Sequence, residues 1–204
     1  MYQLYIMPGA CSLAIHTLLE DMDVPFELIA KADTPDYETV NPLGTVPVLK
    51  DAGLTLREGA SIALHLASKH ETSLLPKSGD ARSRAVDALM FANATVHPAY
   101  SRMFIASRAF EDETVKAAAL EVAAAQLGRL WTHIDTVLET QKYLAGDELT
   151  IADVMLTVYA NWGQFFPVDV PLGANAKRLI ADVNAHPAFK AALAREGVEY
   201  KAAA

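Results

Sequence analysis

The sequence predicts an α/β domain over residues 1–77 followed by an all-α helical-bundle domain over residues 81–204. Three observations carry this. Short apolar runs alternate with turn residues through the first 75 or so positions, the texture of strands mixed with helices. Beyond residue 81 nearly every segment is rich in Ala and Leu at helical spacing. Between the two, Leu74-Leu75-Pro76-Lys77-Ser78-Gly79-Asp80 concentrates breakers and polar groups, as a linker does. A chain of 204 residues buries a substantial core in two compact units without disulfide support.

Residues 4–7 form a short apolar strand, broken by Pro8-Gly9-Ala10. Leu13, Ile15, Leu18 and Leu19 then recur at roughly helical spacing as far as Asp21. A second strand over residues 26–30 follows Pro25, and the β-α-β order makes it parallel to the first through a right-handed crossover. Residues 31–40 read as loop or short helix. Residues 46–49 and 54–56 flank Asp51-Ala52-Gly53 as an antiparallel hairpin, and residues 59–69 form a helix. In the second domain, residues 81–110 and 113–140 are helical and long enough to pack together. Thr150-Ile151-Ala152-Asp153 has the form of a capping box, with Asp in the place of Glu, opening a core helix. His186-Pro187 starts a last short helix, since Pro in the first turn loses no needed hydrogen bond. The Ala-rich end is expected to fray.

Hydrophobic residues at 52% and charged ones at 21% are ordinary for a folded protein and exclude disorder as the dominant state. The 25 acidic against 17 basic side chains leave a net charge of −8, and no basic cluster offsets it, so no nucleic-acid partner is expected. Met1 to Met7 carries no positive residue before its apolar run and does not read as a secretory signal. The apolar stretch at 154–160 is interrupted by Asp153, Asn161 and Gln164, well short of the roughly 20 residues of a membrane span. A cytoplasmic protein with no membrane partner is the expectation. The single Cys11 cannot form an intrachain disulfide, which agrees with a reducing compartment.

Cys11 falls where a strand hands over to a helix, so its sulfur lies near backbone N–H groups that favour a thiolate. The same position also suits a buried cysteine acting as a small hydrophobe. Val46-Pro47 opens a strand, where a cis bond leaves the backbone of Val46 free to pair with an extended peptide; an ordinary edge-strand start fits the pair equally. Glu58-Gly59-Ala60-Ser61 begins a helix, offering N–H groups for a carboxylate and the Glu58 side chain for an amine. Together these grips suit an α-amino acid head group, although Glu58 also fits a simple helix-end charge.

In this order along the whole chain, these pieces resemble the glutathione transferase superfamily, whose N-terminal domain is thioredoxin-like and whose C-terminal domain is helical. Met7-Pro8-Gly9-Ala10-Cys11-Ser12-Leu13-Ala14 looks most like the bacterial beta class. The resemblance implies that Cys11 faces the sulfur of glutathione, and that Val46, with Pro47, pairs its backbone with the cysteinyl part. Glu58 and Gly59 would hold the γ-glutamyl end. It further implies that His97, in Ala94-Thr95-Val96-His97-Pro98, approaches the cysteine from the helical domain and orients or charge-balances the thiolate. Without the resemblance, His97 fits a partly buried polar group before a Pro kink. Thr150 and Asp153 match the superfamily's buried capping box. Ser12, and less so Tyr5, are further candidates to meet the thiolate, because related classes use serine or tyrosine there. Their alternatives are plain capping for Ser12 and a sheet-face aromatic for Tyr5.

Two departures stand out: Pro98 occupies a place where that class commonly has lysine, and the loop between Phe26 and Val46 is shorter than usual. Neither these residues nor Lys31 supplies an assigned partner for the glycyl carboxylate. Met103, Phe104, Trp162, Phe165 and Phe166 are candidates to line an apolar pocket, or belong to the core. The implied function is a detoxifying glutathione S-transferase, conjugating the glutathione thiolate to a small electrophile. Glutathione is the co-substrate, no metal takes part, and the assembly is a homodimer. The alternatives are thiol transfer or reduction through Cys11, and a glutathione-binding protein without turnover.

Overall fold

The computed structural model describes residues 1–202. Four strands and eight helices order the chain as β1 (Tyr2–Ile6), α1 (Ser12–Asp21), β2 (Phe26–Ala30), β3 (Val48–Asp51), β4 (Leu54–Leu56), α2 (Gly59–Lys69), α3 (Gly79–Phe91), α4 (His97–Arg108), α5 (Glu113–Val137), α6 (Ile151–Ala160), α7 (Ala174–Ala185) and α8 (Pro187–Glu196). The sheet runs β2-β1-β3-β4. β1 and β2 are parallel with Leu4 opposite Leu28, while β3 is antiparallel to both β1 and β4. This is the thioredoxin-like α/β unit, and the remaining helices form the all-α unit.

Alternation along β1 separates two environments, since successive side chains point to opposite faces. Leu4 and Ile6 join the main core beneath α1 and α2, whereas Tyr5 packs with Tyr37 and Val48 on the other side. The first strand ends at Ile6 and not at Met7, whose side chain is 53% exposed. Residues 12–19 of α1 are all buried. That helix lies against β1 and α2 of its own unit and against α6 and α8 of the other, so that even its polar Ser12, His16 and Thr17 are buried.

The helical run expected over residues 81–110 is three pieces. α3 passes through a π-helical segment, Ala92–Val96, before α4 begins at His97. Pro98 has no N–H to continue the ladder, so the bonding pattern shifts just before it. α5 stops at Val137, short of residue 140. The stretch at 74–80 is less of a tether than its composition suggests: Leu74 and Leu75 are buried, and the Leu74 carbonyl accepts from Ile151 N–H at 2.8 Å. α7 is a further helix that the reading of the sequence leaves out, although Ala176, Leu179, Ile180 and Val183 recur at helical spacing and are all buried. The Ala-rich end falls partly at residues 203–204, outside the described residues.

The capping box closes as its sequence predicts. Asp153 Oδ2 accepts from Thr150 N at 2.8 Å and from its hydroxyl at 2.9 Å, and Oδ1 accepts from Leu144 N at 3.0 Å. Burial pushes the Asp153 carboxyl up to about 6, against these donors. A second cap is made across helices. Asp135 of α5 accepts from Ala176 N at 2.8 Å at the start of α7. Gly173 makes room for it, since a Cβ there would meet Asp135 Oδ1 at 2.3 Å.

Gly173→Ala is therefore expected to lower stability by about 1–3 kcal/mol through overpacking, measured by urea denaturation. Combined with Asp135→Ala the loss from Gly173→Ala shrinks, because the obstructing carboxylate is gone. An unchanged midpoint in Gly173→Ala alone would contradict this packing.

Candidate active site

Cys11 occupies the N-cap of α1, partly buried, with its thiol donating to the Val46 carbonyl at 3.2 Å. The Val46–Pro47 peptide is cis, and Pro47 is buried. The loop that delivers Val46 is built by Asn41, whose side chain donates to Thr45 O at 2.8 Å, and by Tyr37, whose hydroxyl donates to the same oxygen at 2.9 Å. Lys31 Nζ donates to Gly44 O at 2.5 Å and sits 5.4 Å from the Tyr37 ring centroid, which places a cation two residues from Val46.

The expectation that this position depresses the thiol is reversed. Burial pushes Cys11 up to about 11, and the Glu58 carboxylate adds to the rise. The backbone N–H groups of Cys11 and Ser12 pull the other way without prevailing. α1 is enclosed by both units, so desolvation of a charge outweighs two donors at one helix end.

The turn carrying Cys11 is held from both sides at Gly9. Its N–H donates to Glu196 Oε2 at 3.0 Å, and its carbonyl accepts from Trp162 Nε1 at 2.8 Å. Glu196 in turn meets His16 Nδ1 at 2.8 Å, and His16 Nε2 meets Glu20 at 3.2 Å. Neither Glu196 nor its bond to Gly9 was visible in sequence, since the two residues stand 187 positions apart. Above this turn lie three rings: His97 is 5.1 Å from Tyr159 and 5.4 Å from Trp162, and Tyr159 is 4.8 Å from Trp162.

His97 thus comes to the domain seam, but as a group whose pKa burial lowers, and with no hydrogen bond to Cys11 among the described residues. A neutral imidazole does not charge-balance a thiolate. Ser12 is fully buried, its hydroxyl 3.4 Å from both the N–H and the carbonyl of Met7, so it serves the turn. Tyr5 lies on the far face of β1, its hydroxyl accepting from Lys50 Nζ at 3.1 Å. The structure brings neither Ser12 nor Tyr5 to the sulfur.

Glu58 is the exposed N-cap of α2 and makes no capping bond with its side chain. The first helical bond runs from Ile62 N to Glu58 O at 2.9 Å, leaving the N–H groups of Gly59, Ala60 and Ser61 without helical partners. Gly59 packs where Asn93, Met155 and Pro47 converge; a Cβ would meet Asn93 Oδ1 at 3.4 Å. Among the five pocket candidates, Met103 is wholly buried in the core. Phe104 stands 4.8 Å from Phe166, 5.9 Å from Trp162 and 6.4 Å from Phe165, which is 62% exposed. These rings form an aromatic cluster continuous with the buried Trp162, in which Phe166 is buried and Phe165 reaches solvent. Among the described residues no group of three or more His, Cys, Asp and Glu gathers to hold a metal, and no helix is long and apolar enough to cross a membrane.

A four-stranded thioredoxin-like unit with a cysteine at the start of its first helix, closed over by an all-helical unit, defines the class of fold to which this protein belongs. Residues 9–69 match the glutathione S-transferase N-terminal domain and residues 92–191 the C-terminal domain. The chain is 34% identical to glutathione S-transferase GST-4.5 of Xanthomonas campestris pv. campestris, over 93% of this chain and 98% of that one. A sphingomonad glutathione S-transferase complexed with glutathione superposes with a TM-score of 0.83 at 31% identity, covering 97% of this chain and all of that one. A beta class enzyme of Sphingomonas chungbukensis does so with a TM-score of 0.83 at 29% identity, with the same coverage. The chain belongs to the glutathione S-transferase family.

Because the Cys11 thiol is pushed up to about 11, it stays protonated until the pH passes well above that of an ordinary thiol. In the ligand-free protein, alkylation by iodoacetamide at pH 7–8 is expected to run about a hundredfold slower than in the denatured chain. The rate should climb about tenfold per pH unit towards pH 11. A rate that levels off near neutrality would overturn this assignment.

Proposed function

We propose that the cleft between the two units binds glutathione in extended form and that the Cys11 thiol acts there as a hydrogen-bond donor to the glutathione thiolate, which then attacks a small electrophile. The carrying observation is the 3.2 Å bond from Cys11 Sγ to Val46 O. That carbonyl is the acceptor an extended cysteinyl N–H needs. When glutathione pairs with Val46, the Cys11 S–H is displaced from it and turns to the incoming sulfur. A thiol held protonated by burial is suited to donate and poorly suited to be the nucleophile itself.

The γ-glutamyl carboxylate takes the free N–H groups of Gly59, Ala60 and Ser61 at the positive end of α2, and Glu58 takes the ammonium. Pro47 supports Gly59 from below. Lys31, at the other end of the Val46 loop, supplies the positive charge for the glycyl carboxylate. The electrophile lies on Phe104, Phe165 and Phe166 beside Trp162, and His97 orients the sulfur end as a neutral ring. Each unit by which the bound glutathione thiol falls towards neutrality raises its reactive fraction up to about tenfold, roughly 1.4 kcal/mol. Holding both reactants in one cleft adds to this. A cytoplasmic homodimer with a role in detoxification completes the reading, as the family resemblance implies.

Variants of Cys11 test the donor role. Cys11→Ser keeps a donor and is expected to hold glutathione conjugation of an aryl halide within about tenfold of the parent, whereas Cys11→Ala loses about 10- to 100-fold in kcat, the worth of a hydrogen bond to a charged group. Both lose thiol transfer from mixed disulfides. Full conjugation by Cys11→Ala, or a glutathione-soaked crystal with another side chain nearest the thiol, would refute it. Glu58→Gln is expected to raise KM for glutathione about tenfold with little change in kcat; an unaltered KM removes Glu58 from the site.

A further inference from the structure

We propose that Asn161 is a positioning residue for the turn that carries Cys11: it clasps the chain beyond α8 and thereby holds the Trp162 indole on the carbonyl of Gly9, two residues before the cysteine. Gly197 ends α8 in the left-handed conformation, φ +64°, and residues 198–201 follow as a strap against the end of α6. Asn161 is the C-cap of α6 and is 8% exposed. Its Nδ2 donates to Glu199 O at 3.3 Å and its Oδ1 accepts from Lys201 N at 2.8 Å. One turn earlier on α6, Thr157 O accepts from the Tyr200 hydroxyl at 2.8 Å, and the Tyr200 ring packs 6.1 Å from that of Phe189.

The Glu199 carbonyl and the Lys201 N–H flank Tyr200 as the groups of a strand do when they face a neighbouring strand. Asn161 meets both with one amide, a side chain that carries a donor and an acceptor side by side. Covering apolar surface does not call for an amide here, since a buried one is costly unless it is paired.

The strap also reaches the turn at its other end. The Val198 methyls lie 3.5 and 3.6 Å from where a Cβ on Gly9 would stand. Trp162 follows Asn161 in the chain, is 6% exposed, and donates from Nε1 to Gly9 O at 2.8 Å. The contacts close a circle: from Gly9 to Val198, along the strap to Asn161, on to Trp162 and back to Gly9. The indole is carried by a short 3-10 turn, Asn161–Phe165, a structure with poorer hydrogen-bond geometry than an α-helix. Asn161 is the point at which that turn is tied to the chain beyond α8.

The chain has two tryptophans with different indole acceptors, the Tyr100 hydroxyl for Trp131 and Gly9 O for Trp162. Their indole N–H resonances therefore report separately on the core and on the turn. In Asn161→Ala the Trp162 N–H is expected to exchange with solvent about tenfold faster, while Trp131 keeps its rate. Lys201→Pro deletes the N–H of the 2.8 Å bond from the strap side and is expected to have the same effect, although it lies far from the indole in sequence. The two changes together should do little more than either alone. An unaltered Trp162 rate in either variant overturns the proposal, and so does an equal acceleration at both indoles, which marks general loosening.

The consequence for turnover rests on the function proposed above, whereas the indole readings do not. With the turn released, kcat for conjugation is expected to fall about five- to tenfold in both variants at an unchanged KM for glutathione, because the Val46 and Gly59 groups are untouched. A raised KM at an unchanged kcat overturns the positioning role. Calorimetry on the parent protein separates the two ideas: no heat on adding glutathione removes the cleft assignment, while the indole comparison decides the clasp either way.

Discussion

The peptide at Gly9 is the constraint on which the cleft depends. Its φ of +72° reverses the chain between β1 and α1, a conformation natural to glycine. A Cβ there would stand in van der Waals contact with Val198 at 3.5 Å, so the positive φ and not crowding is what favours glycine. With N–H and C=O both claimed by the helical unit, the turn has little freedom left, and the direction of the Cys11 side chain follows. A lone buried carboxylate at Glu196 would be costly, and it is accepted because His16 and the Gly9 N–H satisfy it together. Precision at the sulfur is thus supplied from the opposite end of the sequence.

That precision has an electrostatic consequence. Enclosing α1 leaves Cys11 only partly exposed to water, and in a medium less polarisable than water an uncompensated thiolate is disfavoured. The same enclosure strengthens each hydrogen bond made to the sulfur. The free protein holds the balance on the protonated side, with the S–H parked on Val46 O. On the proposed reading, a ligand that pairs with Val46 O displaces that S–H, so binding begins with the exchange of one hydrogen bond.

Much of the fold was legible because it is written in local signals. The breaker Pro8-Gly9-Ala10, the hairpin turn at Asp51-Ala52-Gly53, the helix over Gly59–Lys69 and the Thr150–Asp153 capping box all act within a few residues. Part of what escaped was a local subtlety, and the rest was nonlocal. The π-helical passage at Ala92–Val96 reads as uninterrupted helix, since Ala and Val there satisfy the helical period. The protonation of Cys11 depends on how completely two units close over α1, which no spacing reveals, and so the helix-end signal pointed the wrong way. Ser12 and Tyr5 neighbour the cysteine in sequence yet diverge in space, one into the turn and one across the sheet, whereas Glu196 and Trp162 are far along the chain and converge on the Gly9 turn that carries it.

The division of labour between the units explains how such a cleft combines a fixed co-substrate with a variable second one. On the proposed reading, the glutathione half is built mainly from backbone: the Val46 peptide and the N–H groups of Gly59, Ala60 and Ser61. Side-chain changes alter those groups little as long as the loop and helix start keep their course. The electrophile half is built from side chains, with Phe104 on α4 and Phe165 and Phe166 in the segment after α6, and Phe165 is already largely in solvent. Substitutions there reshape the face without touching the Gly9 turn. Trp162 is the exception, because it both lines that face and bonds Gly9, so it is the one aromatic that cannot be exchanged without disturbing the sulfur.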